Sequence, residues 1–138
     1  MEARDISFED IHVGDTATFS RTWSEKDVLD FAEISGDTNP LHVDEEYAKT
    51  TMFKQRLVHG MLLGSLCSQF VGMYIPGKKC LYLNQTLAFK KPVYIGDTVD
   101  VRGEVVAKSD ATKIITIAIT MTKGEEVVVV GESHAQVI

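Results

Sequence analysis

Cysteine is scarce in this chain: Cys67 and Cys80 are the only two. They stand in neither a CxxC nor a Cys/His spacing, so they frame no disulfide scaffold and no metal site. A reducing compartment is the expected setting, the cytoplasm or, in a eukaryote, the mitochondrial matrix. Basic residues are also in the minority, with 14 Lys and Arg against 20 Asp and Glu and a net charge of −6. That balance argues against nucleic acid as a partner, although a local lysine is enough to meet an anionic ligand. The opening MEARDISFED is too acidic and too poor in apolar residues for a signal peptide, and it is not an Arg- and Ser-rich transit segment. There is no repeat, no low-complexity tract and no linker, so residues 1–138 read as one domain with room for a proper core. The three prolines all fall at predicted element boundaries.

Charge is missing altogether from His59 to Ile75, HGMLLGSLCSQFVGMYI. A helix of about 16 residues there spans roughly 24 Å, and Pro76-Gly77 stops it. Leu62, Leu66, Phe70 and Met73 recur at helical spacing, while Met61, Leu63, Val71, Tyr74 and Ile75 fill other faces. A helix apolar nearly all round is expected to be buried nearly all round. The run is short for a membrane span, contains Ser65, Ser68 and Gln69, and lacks aromatic or basic anchors, so no membrane partner is expected. Gly60, Gly64 and Gly72 cost helix propensity, which points to close approach of backbone or ligand.

The remaining chain has to wrap this helix. Thr16 to Trp23 reads as a strand. Ser24 is a good N-cap with Asp27 three residues on, an acidic variant of the capping box, and Gly36 closes the helix they start. Asp37 to His42, DTNPLH, predicts a rigid non-helical loop, because Pro40 biases Asn39 away from the helical region. Asp44 caps a short helix from Glu45 to about Thr50. Four β-rich runs follow: Leu81 to Phe89, Val99 to Ala107, Lys113 to Met121 and Glu126 to Val137. Short connections favour antiparallel pairing, and the unbroken Val127 to Val130 predicts a strand covered on both faces. The fold class is therefore α+β, a long central helix wrapped by a curved antiparallel sheet whose open edges favour dimerisation.

Asp37 and His42 are the sharpest candidates for chemistry. One reading makes Asp37 a turn cap and His42 a satisfied polar residue; the other makes them an acid/base dyad. A solvated carboxylate with a pKa of about 3.9 is a poor base at neutral pH. An apolar wall from the central helix and a neighbouring imidazole would improve it. At His59-Gly60 the free N–H groups and positive end of the helix could stabilise a carbonyl oxygen, with glycine allowing close approach. The competing reading is a simple helix entry. Ser68 sits in no GxSxG and reads by itself as a small core residue. Lys90 and Lys91 read as a solvated turn or as a contact to a phosphate.

These residues together resemble a known family. Gly36-Asp-Thr-Asn-Pro-Leu-His42, then Val58-His59-Gly60-Met61-Leu62, then Lys91-Pro92-Val93 and Gly96-Asp97 are similar to the MaoC-like (R)-specific enoyl-CoA hydratases that feed polyhydroxyalkanoate synthesis. The resemblance covers about Val13 to Val137. It implies a hotdog fold, a homodimer, and reversible syn hydration of a trans-2-enoyl-CoA thioester to the (R)-3-hydroxyacyl thioester. It also implies Asp37 and His42 as the catalytic pair, Gly60 as the backbone donor to the thioester oxygen, and Ser68 as a pocket serine supporting the dyad. No metal or redox cofactor is implied, since coenzyme A belongs to the substrate. Arg56 departs from the proline common in relatives, with a looser approach to the helix or a charge at the pocket mouth as the expected result. Helix spacing from Ser68 then brings Val71 to the acyl level of the pocket, with packing against the sheet as the alternative.

Three rivals share the fold or the ligand. A dehydratase acting on acyl-carrier-protein substrates shares both chemistry and residues. A thioesterase would attack the carbonyl carbon instead of C3. A non-catalytic acyl-CoA sensor is expected to carry a further partner domain.

Overall fold

The computed structural model describes residues 1–138. Strand β1 (Thr16–Thr22) leads into helix α1 (Glu25–Ser35), two short helices α2 (Pro40–Val43) and α3 (Glu45–Thr50), and the long α4 (Gly60–Met73). Strands β2 (Cys80–Phe89), β3 (Thr98–Lys108), β4 (Ile114–Lys123) and β5 (Glu126–Val137) complete the chain. With β1 they form one five-stranded antiparallel sheet of order β1-β3-β4-β5-β2.

Local chemistry sets the first helix. The Ser24 hydroxyl accepts the Asp27 N–H, and the Asp27 carboxylate accepts the Ser24 N–H at 2.9 Å, which completes the capping box. Gly36 ends α1 at φ 77°, a left-handed conformation that glycine adopts without penalty. The loop that follows is only half as irregular as the sequence suggested. Asn39 is extended, but Pro40–Val43 forms a helical turn. Proline at the first helical position has the right φ and no N–H to waste, and the Asn39 side chain accepts the Leu41 N–H at 2.9 Å.

Helix α4 lies against the sheet. Leu62, Leu63, Leu66, Cys67, Phe70 and Val71 are buried in a core cluster of 25 residues running from Phe8 to Val137. Contact is close at two glycines, one on each partner. A Cβ on Gly103 of β3 would fall 2.3 Å from the Phe70 ring, and one on Gly64 would fall 2.8 Å from Leu87. In β4 the inward residues Ile115, Ile117, Ile119 and Met121 alternate with partly exposed Thr116, Ala118 and Thr120.

All-round burial of α4 does not occur. Met61 is 62 % exposed, and Ser65 and Ser68 are exposed beside it. The sheet covers one side of the helix, and the uncovered arc is where the small residues Ser65, Ser68 and Gly72 fall. Nor is β5 covered on both faces throughout. Val128 and Val129 are buried, but Val127, next to the turn that joins β4 to β5, is 39 % exposed.

The β2 edge pairs only with β5. A register shift interrupts this pairing between Tyr82 and Asn84; Tyr82 packs against the core, while Leu81, Leu83 and Phe89 are about half exposed. No helix is long and apolar enough to cross a membrane.

Candidate active site

Two turns of backbone hold Asp37. Its N–H donates to Ser35 Oγ, and its Oδ1 accepts the Asn39 N–H at 3.2 Å. The other carboxylate oxygen, Oδ2, lies 4.0 Å from His42 Nε2. His42 occupies α2, the turn that Pro40 starts. Its Nδ1 is 2.8 Å from the Leu57 carbonyl oxygen. A carbonyl only accepts, so Nδ1 carries the hydrogen and neutral His42 turns the Nε2 lone pair toward Asp37. The Leu57–Val58 segment is fixed in turn, with Leu57 N–H donating to Leu41 O and Val58 N–H to Val93 O.

A separation of 4.0 Å is too long for a direct hydrogen bond and short enough for one water to touch both groups. The carboxylate and the imidazole thus converge on a position beside their gap from which one water can bond to both. His42 is mostly shielded at 15 % exposure, whereas Asp37 is 51 % exposed. The apolar wall expected against Asp37 is not formed by α4 of the same chain.

Gly60 opens α4 and, with His42, Leu57, Phe89, Lys90 and Lys91, lines a hollow of about 390 Å³. Its N–H is one of the first-turn donors without an intrahelical partner. A Cβ at Gly60 would lie 3.1 Å from the Phe89 ring, so this entrance has little spare width. The largest hollow, about 510 Å³ on the β1–β3–β4 surface, has none of these residues in its wall.

The other expected site residues lie elsewhere. Ser68 is on the exposed arc of α4, about 12 Å along the helix from Gly60. Val71 is fully buried in the core cluster and lines none of the hollows. It packs within the helix–sheet core. Arg56 puts no charge at the hollow: its guanidinium bonds Glu25 on α1 at 2.6 Å and ties the approach to α4 down.

His59 was not singled out by the sequence as a site residue, yet it is in the middle of the site. It is 1 % exposed, and its ring stacks on His42 with centroids 3.8 Å apart. Its Nε2 lies 3.0 Å from the Asp37 carbonyl oxygen. Burial pushes its pKa below the usual histidine value, with the neighbouring His42 adding to the effect. Asp37, His42 and His59 bring three donor atoms within 4.8 Å of one another, as a metal site does. The two rings, however, are stacked 24° from parallel, so their in-plane lone pairs run side by side instead of converging.

Known proteins match both the sequence and the fold. The MaoC like domain matches residues 10–127. An (R)-specific enoyl-CoA hydratase of Rhodospirillum rubrum is 45 % identical over 94 % of this chain and 90 % of its own. A mitochondrial 3-hydroxyacyl-[acyl-carrier-protein] dehydratase of Arabidopsis thaliana is 43 % identical, but over 64 % of this chain and 52 % of its own. Among solved structures, the (R)-hydratase from A. caviae involved in PHA biosynthesis superposes with a TM-score of 0.91 at 40 % identity, covering 94 % of this chain and 99 % of its own. A sheet curled around one helix, matched over nearly full length at such identity, is the hotdog fold, and the chain belongs to the MaoC-like domain family.

Proposed function

We propose that the chain catalyses reversible, (R)-specific hydration of trans-2-enoyl-CoA to (R)-3-hydroxyacyl-CoA. The observation that carries this reading is the 4.0 Å opening between Asp37 Oδ2 and the lone pair of His42 Nε2. A water held there loses a proton to the dyad as its oxygen bonds to C3, and the dyad delivers a proton to C2 on the same face. The alkene π bond and one water O–H bond break, and C3–O and C2–H bonds form. Gly60 N–H meets the thioester oxygen as it gains negative charge in the enolate. The thioester already polarises the alkene, so the step draws on no metal or redox cofactor. Lys90 and Lys91, exposed at the rim of the same hollow, offer positive charge to the phosphates of coenzyme A.

The working unit in this proposal is a homodimer. The free β2 edge with Leu81, Leu83 and Phe89, next to the uncovered arc of α4, is an apolar surface that a second copy covers. Covering that arc encloses Ser68, which the reading keeps as a pocket residue. Supply of (R)-3-hydroxyacyl-CoA to polyhydroxyalkanoate synthesis and a reducing compartment, suited to two free cysteines, complete the picture.

The test is a spectrophotometric assay of crotonyl-CoA and longer enoyl-CoAs, with chiral analysis of the product and light scattering for mass. An (R)-3-hydroxy product from a dimer is expected. Turnover restricted to acyl-carrier-protein thioesters would move the assignment to the dehydratase reading, and thioester cleavage without hydration would move it to a thioesterase.

A further inference from the structure

His59 joins three separate pieces of the site. Its ring takes the edge of Phe31 from α1 at 4.8 Å, stacks on His42 of α2 at 3.8 Å, and reaches the backbone of Asp37 through Nε2 at 3.0 Å. The Asp37 carbonyl can only accept, so Nε2 carries the hydrogen and Nδ1 holds a lone pair. That Nδ1 is buried and has no hydrogen-bond partner. A packing role alone would be better served by an apolar ring, because this imidazole leaves a buried acceptor unsatisfied. What the imidazole adds is the single N–H bond to the residue that carries the carboxylate.

We propose that His59 is the positioning residue of the dyad: its Nε2–H fixes the backbone of Asp37 while its face fixes the plane of His42, and it touches neither water nor substrate. The two contacts together set the opening between Asp37 Oδ2 and His42 Nε2. The job requires a neutral ring. A second proton would sit on Nδ1 as a buried donor without an acceptor, at the positive end of α4. The titratable groups acting on His59 are His42, which opposes that proton, and the partly solvated Asp37, which favours it.

The inference rests on the hydratase reading for its kinetic arm, so the experiment has a structural arm as well. His59→Phe keeps an aromatic ring and loses the donor, whereas His59→Gln keeps a donor and loses the ring. Crotonyl-CoA kinetics, melting temperature and crystal structures are compared for both. Expected for His59→Phe are a melting temperature within a few degrees of wild type, KM within about twofold and kcat lowered about 10- to 100-fold. Its Asp37–His42 opening widens or closes from 4.0 Å. His59→Gln recovers kcat to within about fivefold of wild type, with the Asp37 backbone back in place. His59→Leu, also without a donor, replaces His59→Phe if the latter fails to fold. The proposal is overturned if the donor-less variant outperforms His59→Gln, or if the opening is unchanged without the donor. Loss of wild-type hydration, with the opening responding as expected, would sink the hydratase reading and leave the positioning role standing.

Discussion

At its first turn, α4 meets polar groups. His59 stands at its N-cap position, Gly60 leaves an N–H free, and Asp37 and His42 stand in front with a hollow beside them. Two turns later the same helix offers Cys67, Phe70 and Val71, all fully buried, and Phe70 presses on Gly103. One end is held by hydrogen bonds and stacked rings around open space, the other by filled volume. Substitutions at the two ends should therefore be read out by different instruments: kinetics at the first, unfolding at the second.

Phe70→Ala should give the largest effect. It empties the space over Gly103 and is expected to cost about 3–5 kcal/mol in urea unfolding, with turnover per folded molecule retained. Loss of turnover without loss of stability would erase the distinction between the two ends. Next come Asp37→Asn and His42→Ala, each expected to lower hydration at least about 10²-fold, or about 2.7 kcal/mol of barrier, with melting temperature nearly unchanged. A folded Asp37→Asn protein with near-normal turnover would end the proposed mechanism.

Val71→Phe sharpens the comparison, because the sequence leaves Val71 two roles and its burial favours the core one. As an acyl-pocket residue it would shorten the accepted chain. As a core residue it overpacks the helix–sheet contact, and the expected loss is about 1–3 kcal/mol of stability. Specificity constants for four-, six- and eight-carbon enoyl-CoAs should then keep their ratios. A selective drop at eight carbons would return Val71 to the pocket.

The smallest effect is electrostatic. His59 has a folded-state pKa below its unfolded value of about 6.5, because burial disfavours the cation. The unfolded chain therefore binds more protons below that pH. The stability that His59 contributes is present above about pH 6.5 and is lost on acidification through the lower, folded-state pKa. Melting temperatures at pH 8 and pH 5 should differ less in His59→Gln than in wild type. An equal difference in both would remove His59 as a source of acid sensitivity.

Much of this was legible in the sequence because it is local. The Ser24–Asp27 capping box, the left-handed Gly36 and the alternation in β4 each depend on residues within a few positions of one another. From spacing alone Asp37 and His42 fitted a turn cap and a satisfied histidine as well as a dyad, and it was the family resemblance that implied the pair, which the structure places 4.0 Å apart. The α2 turn was missed because Pro40 reads as a helix breaker, although at the first helical position it is a helix starter. The exposed arc of α4 was hidden because glycine and serine add little polarity to an apolar run. His59 and Arg56 were misread for a different reason: their partners, Asp37 and Glu25, are 22 and 31 positions away. No spacing rule reaches that far.

The strand order has a consequence for how the chain comes together in time. Strands β3, β4 and β5 follow one another through tight turns and form the middle of the sheet, so they can zip as successive hairpins. Both outer strands arrive from afar: Thr16 pairs with Glu104, and Cys80 with Val137. Closing those long loops is slow and comes with an entropic penalty before any contact repays it. The order of assembly expected from this topology is a three-stranded meander first and the flanking strands afterwards. The half-exposed leucines of β2 are then among the last apolar groups to be placed, and they are the surface through which a crowded refolding solution would aggregate.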